Sequence, residues 1–365
     1  MTLRGADPDT VREAVESGDP LPGTFGFAGE VDGRLVRDVL GRIPLFVERE
    51  PDESPDRQWA FEPAALEDPV RFPSGSVSRS AGADPERVWS LPEPTPESDP
   101  DAALDALDRA IRTATDQVRS DDCAVAFSGG VDSALVAEVL DAPLYVVGFP
   151  DSHDVEAART AAAAMDRELT VVELEPADLE RAVPEVARAI GRTNAMDVQI
   201  ALPLYLVGER VAADGYETLA VGQGADELFG GYEKVVRLDH RVEAETVRGA
   251  VREQILSLPG QLPRDVRAIE AAGLEPVTPL LHDAVIDAAL QLPDELLADE
   301  KTRKRGFRRV AAQYLPEEVS SRDKKAVQYG SLVARELDRL ARQAGYKRRM
   351  DDHVTKYVES LLEAE

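Results

Sequence analysis

Ser128-Gly129-Gly130-Val131-Asp132-Ser133 follows directly on the apolar run Cys123-Ala124-Val125-Ala126-Phe127 and leads into Ala134-Leu135-Val136-Ala137-Glu138-Val139-Leu140. This order reads as a buried strand, a tight turn and a helix. Two adjacent glycines let the backbone turn sharply and aim successive N–H groups at one point, and the positive end of the following helix faces the same point. An anion fits there. The turn has no lysine, so it is not the G-x-x-x-x-G-K-[ST] phosphate loop, and the chain holds no G-x-G-x-x-G dinucleotide fingerprint. Asp132 puts a carboxylate among the phosphates instead, which makes sense if Mg²⁺ bridges it to a triphosphate. The plainer alternative is an ordinary Gly-Gly turn.

A second apolar run, Thr218-Leu219-Ala220-Val221-Gly222, enters Gln223-Gly224-Ala225-Asp226-Glu227-Leu228-Phe229-Gly230-Gly231-Tyr232. Glycines on both sides of an Asp-Glu pair mark a loop that approaches something closely. Asp226 is then a second metal candidate, sharing Mg²⁺ with Asp132 where two strand ends converge. A solvated acidic turn is the alternative.

Between and around these motifs, short apolar strands alternate with amphipathic helices. Strands are expected at 123–127, 144–149, 169–174 and 218–222, and helices at 102–119, 133–140, 155–165, 178–190 and 199–213, with a helical pattern beyond Tyr232. The alternation predicts an α/β fold on a parallel sheet, whose ligand sites lie at the carboxyl ends of the strands. Both glycine motifs fall at such ends.

Ser128-Gly129-Gly130-Val131-Asp132-Ser133 resembles the pyrophosphate loop of the ATP-pyrophosphatase superfamily, and the 223–232 string is similar to the G-E-G-A-D-E-L-F-G-G-Y signature of the asparagine synthetase family. Weaker matches follow in order. Val146-Val147-Gly148-Phe149-Pro150-Asp151-Ser152 resembles the strand and loop beside the adenine, and Pro279-Leu280-Leu281-His282-Asp283 the P-F-L-D element. Lys304 and Arg308 fall in a K-x-x-L-R-like element with Phe307 in place of leucine, and Leu315-Pro316-Glu317-Glu318-Val319 precedes Ser321-Arg322-Asp323-Lys324-Lys325. The resemblance implies an adenine nucleotide α-hydrolase-like domain with a helical C-terminal part.

Carried over position by position, the resemblance implies that Ser128, Gly129, Gly130, Asp132 and Ser133 hold the pyrophosphate of ATP and its Mg²⁺. Ala126, Val147 and Gly222 would contact the nucleotide, Asp226 would join Asp132 on the metal, and Asp154 would lie near the nucleotide. Lys324 matches the active-site lysine, set where the departing pyrophosphate gathers charge. One position departs: Gln223 stands where the family usually has Glu. Glutamine keeps a hydrogen-bonding carbonyl and loses any general-base capacity at neutral pH.

The 365 residues carry a formal charge of −28, with lysine only at 234, 301, 304, 324, 325, 347 and 356. Such a surface repels nucleic-acid phosphates and anionic membranes, so neither is an expected partner, and it fits a high-salt, halophile-like milieu. The single cysteine, Cys123, excludes an intrachain disulfide and a cysteine metal cluster. No run of apolar residues reaches a membrane span and the N-terminus lacks a signal pattern, so a cytoplasmic protein is expected. The four histidines lack ligand spacing and read as surface or capping residues.

Leu91-Pro92-Glu93-Pro94-Thr95-Pro96-Glu97-Ser98-Asp99-Pro100 reads as an acidic, proline-rich linker between residues 1–90 and residues 101–365. In the first part, 23–30 and 34–48 resemble a β-rich piece of the class II glutamine amidotransferase-like glutaminase domain of that family. Phe72-Pro73-Ser74-Gly75-Ser76-Val77 is similar to its closing P-P-G-S turn. The piece is less than half the usual length and has no cysteine near its start, where the family's nucleophile sits. A shortened, glutaminase-dead domain is therefore expected: Thr2 is the alternative N-terminal nucleophile, as in threonine-type hydrolases, but Leu3-Arg4-Gly5-Ala6-Asp7-Pro8 is expected to turn away from any buried strand, against such a role.

Together the motifs point to adenylation of the aspartate side-chain carboxylate by ATP and its displacement by ammonia, taken from solution or from a separate amidotransferase. Two other readings stay open: an amide- or lactam-forming ligase on another carboxylate, and a non-catalytic nucleotide-binding protein. The oligomeric state, a homo-oligomer included, is not readable from the sequence.

Overall fold

The computed structural model of the chain describes residues 2–49, 58–79, 83–299, 301–322 and 331–363. Its N-terminal strands are short and antiparallel: Leu3–Arg4 (β1), Ala28–Val31 (β2), Arg34–Arg37 (β3), Phe46–Glu48 (β4), Trp59–Ala60 (β5), Pro69–Arg71 (β6), Ser76–Ser78 (β7) and Glu86–Arg87 (β8). They form one sheet of order β1-β2-β3-β7-β8 and a second of order β5-β4-β6, around a small core of Ala28, Leu35, Leu45 and Phe72. The N-terminal residues correct one expectation. Leu3 and Arg4 do not turn away but pair with Gly29 and Ala28. The bare backbone of Gly29 permits it, since a Cβ there would lie 2.1 Å from the Thr2 carbonyl oxygen.

Helix Pro8–Ser17 (α1) is closed by local chemistry at both ends. Asp7 accepts from the amides of Asp9 and Thr10, and Gly18 ends the helix in the left-handed conformation at φ 74°. The proline-rich stretch is tied down: Arg252 donates to the carbonyls of Leu91 and Pro92, each at 2.7 Å.

From Pro100–Thr115 (α2) onward strands and helices alternate: Cys123–Ala126 (β9), Val131–Leu140 (α3), Leu144–Gly148 (β10), His153–Ala164 (α4), Leu169–Glu173 (β11), Pro176–Ile190 (α5), Ala195–Ala213 (α6) and Thr218–Ala220 (β12). Then come Ala225–Phe229 (α7), Glu233–Arg237 (α8), Val247–Ala271 (α9), Glu275–Val277 (β13), Asp283–Leu290 (α10), Arg305–Ala311 (α11), Glu317–Ser320 (α12), and the helices Val333–Gln343 and His353–Glu363. The expected strands and helices are all present, within a few residues at their ends. The strand at 275–277 was not expected. Its Glu-Pro-Val sequence carries no apolar alternation, and among the described residues it pairs only with β12, at the edge, where a proline costs no ladder bond.

Two compact units do not follow chain order. The first comprises Met1–Ala114, Gln223–Pro263 and Thr278–Val310, and the second Thr115–Gly222, Arg264–Val277 and Ala311–Glu365. In the second, five parallel strands run in the order β11-β10-β9-β12-β13. The chain builds outward from β9 through β10 to β11, then returns to lay β12 on the other side of β9. The β9–β12 boundary is therefore the switch point, where open α/β sheets bind ligands beyond their strand ends. The core of this unit joins the sheet to α5, α6 and the two C-terminal helices through Val183, Val186, Leu202, Leu206, Leu337 and Val358. No helix among the described residues is long and apolar enough to cross a membrane.

Candidate nucleotide site

β9 delivers the chain to the switch point through buried Cys123, Ala124 and Val125, and Phe127 anchors the exit. The loop that follows is held by its two serines. Ser128 N–H donates to Ser133 Oγ at 3.1 Å, the two hydroxyls lie 3.2 Å apart, and Ser133 Oγ donates to the Gly130 carbonyl at 3.3 Å. Gly129 sits at φ 70°, and a Cβ on it would meet the Ala157 carbonyl oxygen at 2.5 Å and the Ala158 nitrogen at 2.7 Å. Only glycine lets the loop rest on the backbone of α4. Gly130 precedes α3, whose N-terminus no side chain among the described residues caps. The roughly half positive charge of a helix N-terminus is thus left for an anion.

Asp132 lies in the first turn of α3 and is 2% exposed. From the other side of the switch point, Gly222 closes on it: a Cβ on Gly222 would stand 2.8 Å from the Ser133 nitrogen and 2.9 Å from Asp132 Cβ. β10 pairs Tyr145 with Ala126, and Val147 is buried two residues further on. Ala126, Ser128, Gly129, Gly130, Asp132, Ser133, Val147 and Gly222 therefore come together at the carboxyl ends of three adjacent strands. Asp154 is buried in the first turn of α4, behind a Ser152 cap that accepts from the Val155 amide at 3.3 Å.

Asp226 belongs to the first unit. There Gly224, at φ 91°, lies against Leu281, whose Cδ2 would be 2.4 Å from an added Cβ. Gly231 returns onto Asp226, its amide donating to the Asp226 carbonyl at 2.8 Å. The Asp226 carboxylate forms an ion pair with Lys304 Nζ at 2.5 Å, and the Lys304 side chain is only 7% exposed. Its neighbour Glu227 is buried and accepts from the Tyr232 hydroxyl at 2.5 Å. Burial pushes the Glu227 carboxyl above the ordinary carboxylate range, with Asp226 adding to the rise and the Tyr232 hydrogen bond opposing it. Phe229 and Phe307 stack at 4.8 Å behind this turn, which accounts for an aromatic at 307.

Lys324 lies outside the described residues, as does Lys325. The residues on either side of 323–330 are bonded at the sheet's carboxyl edge. Arg322 donates to the Ala157 carbonyl at 3.0 Å, the group against which Gly129 rests, and the Ser331 carbonyl accepts from the Phe149 amide at 3.2 Å, just past β10. Sequence reasoning had named Lys304 without its partner and had given Glu227, Tyr232 and Arg322 no role. Lys304 is 78 residues from Asp226, and nothing local signals the pair. Groups of three or more potential metal-ligating side chains are absent among the described residues.

The asparagine synthase family model matches residues 102–257 and 244–364. Among curated proteins, the chain is 29% identical over 286 residues to the putative asparagine synthetase (glutamine-hydrolyzing) 1 of Methanocaldococcus jannaschii, covering 68% of this chain and 53% of that protein. It is 26% identical over 348 residues to asparagine synthetase B (glutamine-hydrolyzing) of Escherichia coli, covering 84% and 61%. With the asparagine synthetase (glutamine-hydrolyzing) of Zea mays it shares 28% over 317 residues, covering 76% and 51%. The chain thus spans between 51% and 61% of the length of these three relatives.

Proposed function

Because the chain belongs to the asparagine synthase family, we propose that it is an ATP-dependent carbon–nitrogen ligase that converts aspartate to asparagine. An oxygen of the aspartate side-chain carboxylate attacks the α-phosphorus of ATP, the bond to the β-phosphate breaks, and pyrophosphate leaves. Ammonia then attacks the carbonyl carbon of the β-aspartyl-AMP, AMP departs, and a proton is released with the amide.

The observation that carries this reading is the serine-tied loop at the switch point, with Gly129 on the backbone of α4 and Gly222 on Asp132. Amides of the loop and the positive end of α3 stabilise charge on the leaving phosphates. The hard oxygen donor Asp132, buried in the first turn of α3, fits Mg²⁺, which takes one or two carboxylates together with phosphate oxygens. Asp226, the carboxylate of the second glycine motif, is the second ligand in this reading. Mg²⁺ held this way supplies charge neutralisation at the triphosphate. Lys324, outside the described residues, is assigned to the departing pyrophosphate by the match of its motif to the family's active-site lysine.

Free ammonia is the proposed nitrogen donor. The one cysteine, Cys123, is buried in β9 with its thiol pushed up by burial, and is unsuited to attack glutamine. Gln223 supports a second reading, in which the same adenylation serves another carboxylate. Pyrophosphate release from Mg-ATP, measured over a KCl series with aspartate or no acid and with ammonium or glutamine, separates the two. Aspartate-dependent release and asparagine formed with ammonium alone bear out the first reading. Release with another acid and none with aspartate moves the assignment to the second, and ATP binding without release under any acid overturns both.

A further inference from the structure

Arg42 lies in the N-terminal part of the chain yet is the hub of a buried cluster that reaches residue 283. Its Nε pairs with Asp38 Oδ1 at 2.8 Å and its Nη2 with Asp283 Oδ1 at 2.7 Å, all three side chains being almost fully buried. Nη1 donates to the Leu281 carbonyl at 2.7 Å. Asp283 Oδ2 in turn accepts from the amides of Gly23 and Thr24 and from the Thr24 hydroxyl, at 3.1, 2.8 and 3.0 Å. Gly26 is bare for this reason, since a Cβ on it would lie 2.6 Å from Arg42 Nε.

The residues so held are those on which the Asp226 loop is built. Leu281, fixed by its carbonyl, presents its side chain to the bare backbone of Gly224. Asp283 is the first residue of α10, and α10 packs on α7, the short helix that carries Asp226 and Glu227. A guanidinium that bridges two carboxylates and a carbonyl fixes three points at once, which an ammonium on a flexible stem does not.

We infer that Arg42 is a positioning residue for the Asp226–Tyr232 loop, acting through Leu281 and α10. The segment 23–42 is then a working part of the ligase. This inference rests on the proposed ligase reading for its kinetic consequence, but its structural consequence stands apart from catalysis. The phosphate loop bonds within the other unit, so its own hold on ATP is spared, and what the variants disturb is the placing of the proposed second metal ligand.

The test compares Arg42→Lys and Leu281→Ala with the unaltered chain and with Arg12→Lys, which changes an exposed ion pair of the same N-terminal part, Arg12 to Asp32 at 2.7 Å. Amide exchange across 224–232 is read first, where the bonds Leu228 N–H to Gly224 O and Gly231 N–H to Asp226 O, both 2.8 Å, report the loop. Both variants are expected to speed exchange there about tenfold or more while leaving 123–148 and the Arg12→Lys protein unchanged. In pyrophosphate release, kcat is expected to fall about ten- to a hundredfold, the scale of a small misplacement of a reacting group, while the Kd for ATP measured without Mg²⁺ stays within about threefold. Wild-type exchange and kcat in either folded variant overturn the inference. Should Arg42→Lys fail to fold, Leu281→Ala decides by the same readings. Should the unaltered chain release no pyrophosphate with any acid, the ligase reading fails and exchange alone decides this one.

Discussion

Gly129→Ala tests the seating of the phosphate loop. The residue sits at φ 70°, and the new Cβ would lie 2.5, 2.6 and 2.7 Å from the carbonyl oxygen and carbon of Ala157 and the nitrogen of Ala158. All three atoms are backbone within α4, so no side-chain tip can swing aside. The left-handed conformation costs alanine about 1–2 kcal/mol, and forcing a methyl into a packed contact about 1–3 kcal/mol more. Against this, alanine restricts the unfolded chain and returns about 0.4–1 kcal/mol. A net loss of about 1–4.5 kcal/mol follows from these terms. Gly273→Ala in the same unit is the control: φ is 86° there and nothing stands within 4 Å of the added carbon. It bears the conformational cost alone, about 1 kcal/mol after the same offset. Urea unfolding followed by far-ultraviolet circular dichroism gives both numbers, and pyrophosphate release from Mg-ATP gives the functional loss expected of Gly129→Ala only. Equal destabilisation by the two substitutions would refute the close approach of loop and α4.

Asp132→Asn keeps the shape of the loop and removes the charge, so pyrophosphate release is expected to vanish while the circular dichroism spectrum and unfolding midpoint hold; retained release would remove Asp132 from the metal site. Glu227, whose carboxyl is raised by burial, binds its proton more tightly folded than unfolded, so its contribution to stability falls as pH rises from about 4.5 through the raised value. Glu227→Gln, still able to accept from Tyr232, is expected to flatten that part of the profile and to unfold later at neutral pH. An unchanged urea midpoint from pH 5 to 8 would contradict the buried carboxyl. His282 has the opposite sign: burial first, then Arg42, hold its imidazole below the usual range against the pull of Asp283. Unfolded chains take the proton first as pH falls below about 6.5, so stability is lost in that direction. His282→Asn retains a helix-capping acceptor for the Ala284 amide and is expected to lose the acid-side decline, as thermal unfolding between pH 5 and 7.5 would show.

The tautomer of His282 follows from its two bonds. Nδ1 accepts from the Ala284 amide at 3.1 Å, so the proton sits on Nε2, which faces the Gly23 carbonyl at 3.0 Å. Capping was a reading the sequence allowed for this histidine, and capping is what it does. The sequence did not reveal that the same ring also ties α10 to residue 23, because the partner is 259 positions away.

Glycine explains most of what was legible. At Gly129, Gly222 and Gly224 the backbone must pass within contact distance of another segment, and glycine is the residue that permits this wherever it occurs in the chain. The motif therefore carries its own geometric reason, visible without knowing the neighbour. Strand β9 was legible for a similar reason, since a strand buried on both faces must be apolar throughout. Strand β13 was not, because an edge of three residues, Glu-Pro-Val, satisfies no pattern of its own and exists only because β12 is there to pair with.

Charged partners obey a different logic, which is why they escaped. An arginine at 42 or a lysine at 304 reads locally as one more surface cation, and this chain has 42 lysines and arginines to choose from. What distinguishes these two is that burial removes water as the alternative partner. An unpaired guanidinium or ammonium in such a place costs several kcal/mol, so it is tolerated only beside carboxylates, fully buried ones for Arg42 and the half-exposed Asp226 for Lys304. In a chain with 70 acidic residues, a carboxylate is rarely scarce; the informative ones are those withdrawn from solvent, Asp38 and Asp283 on Arg42. Those two lie on segments 245 residues apart, so the ion pairs that order the Asp226 loop are made by the fold and become readable only once the fold is known.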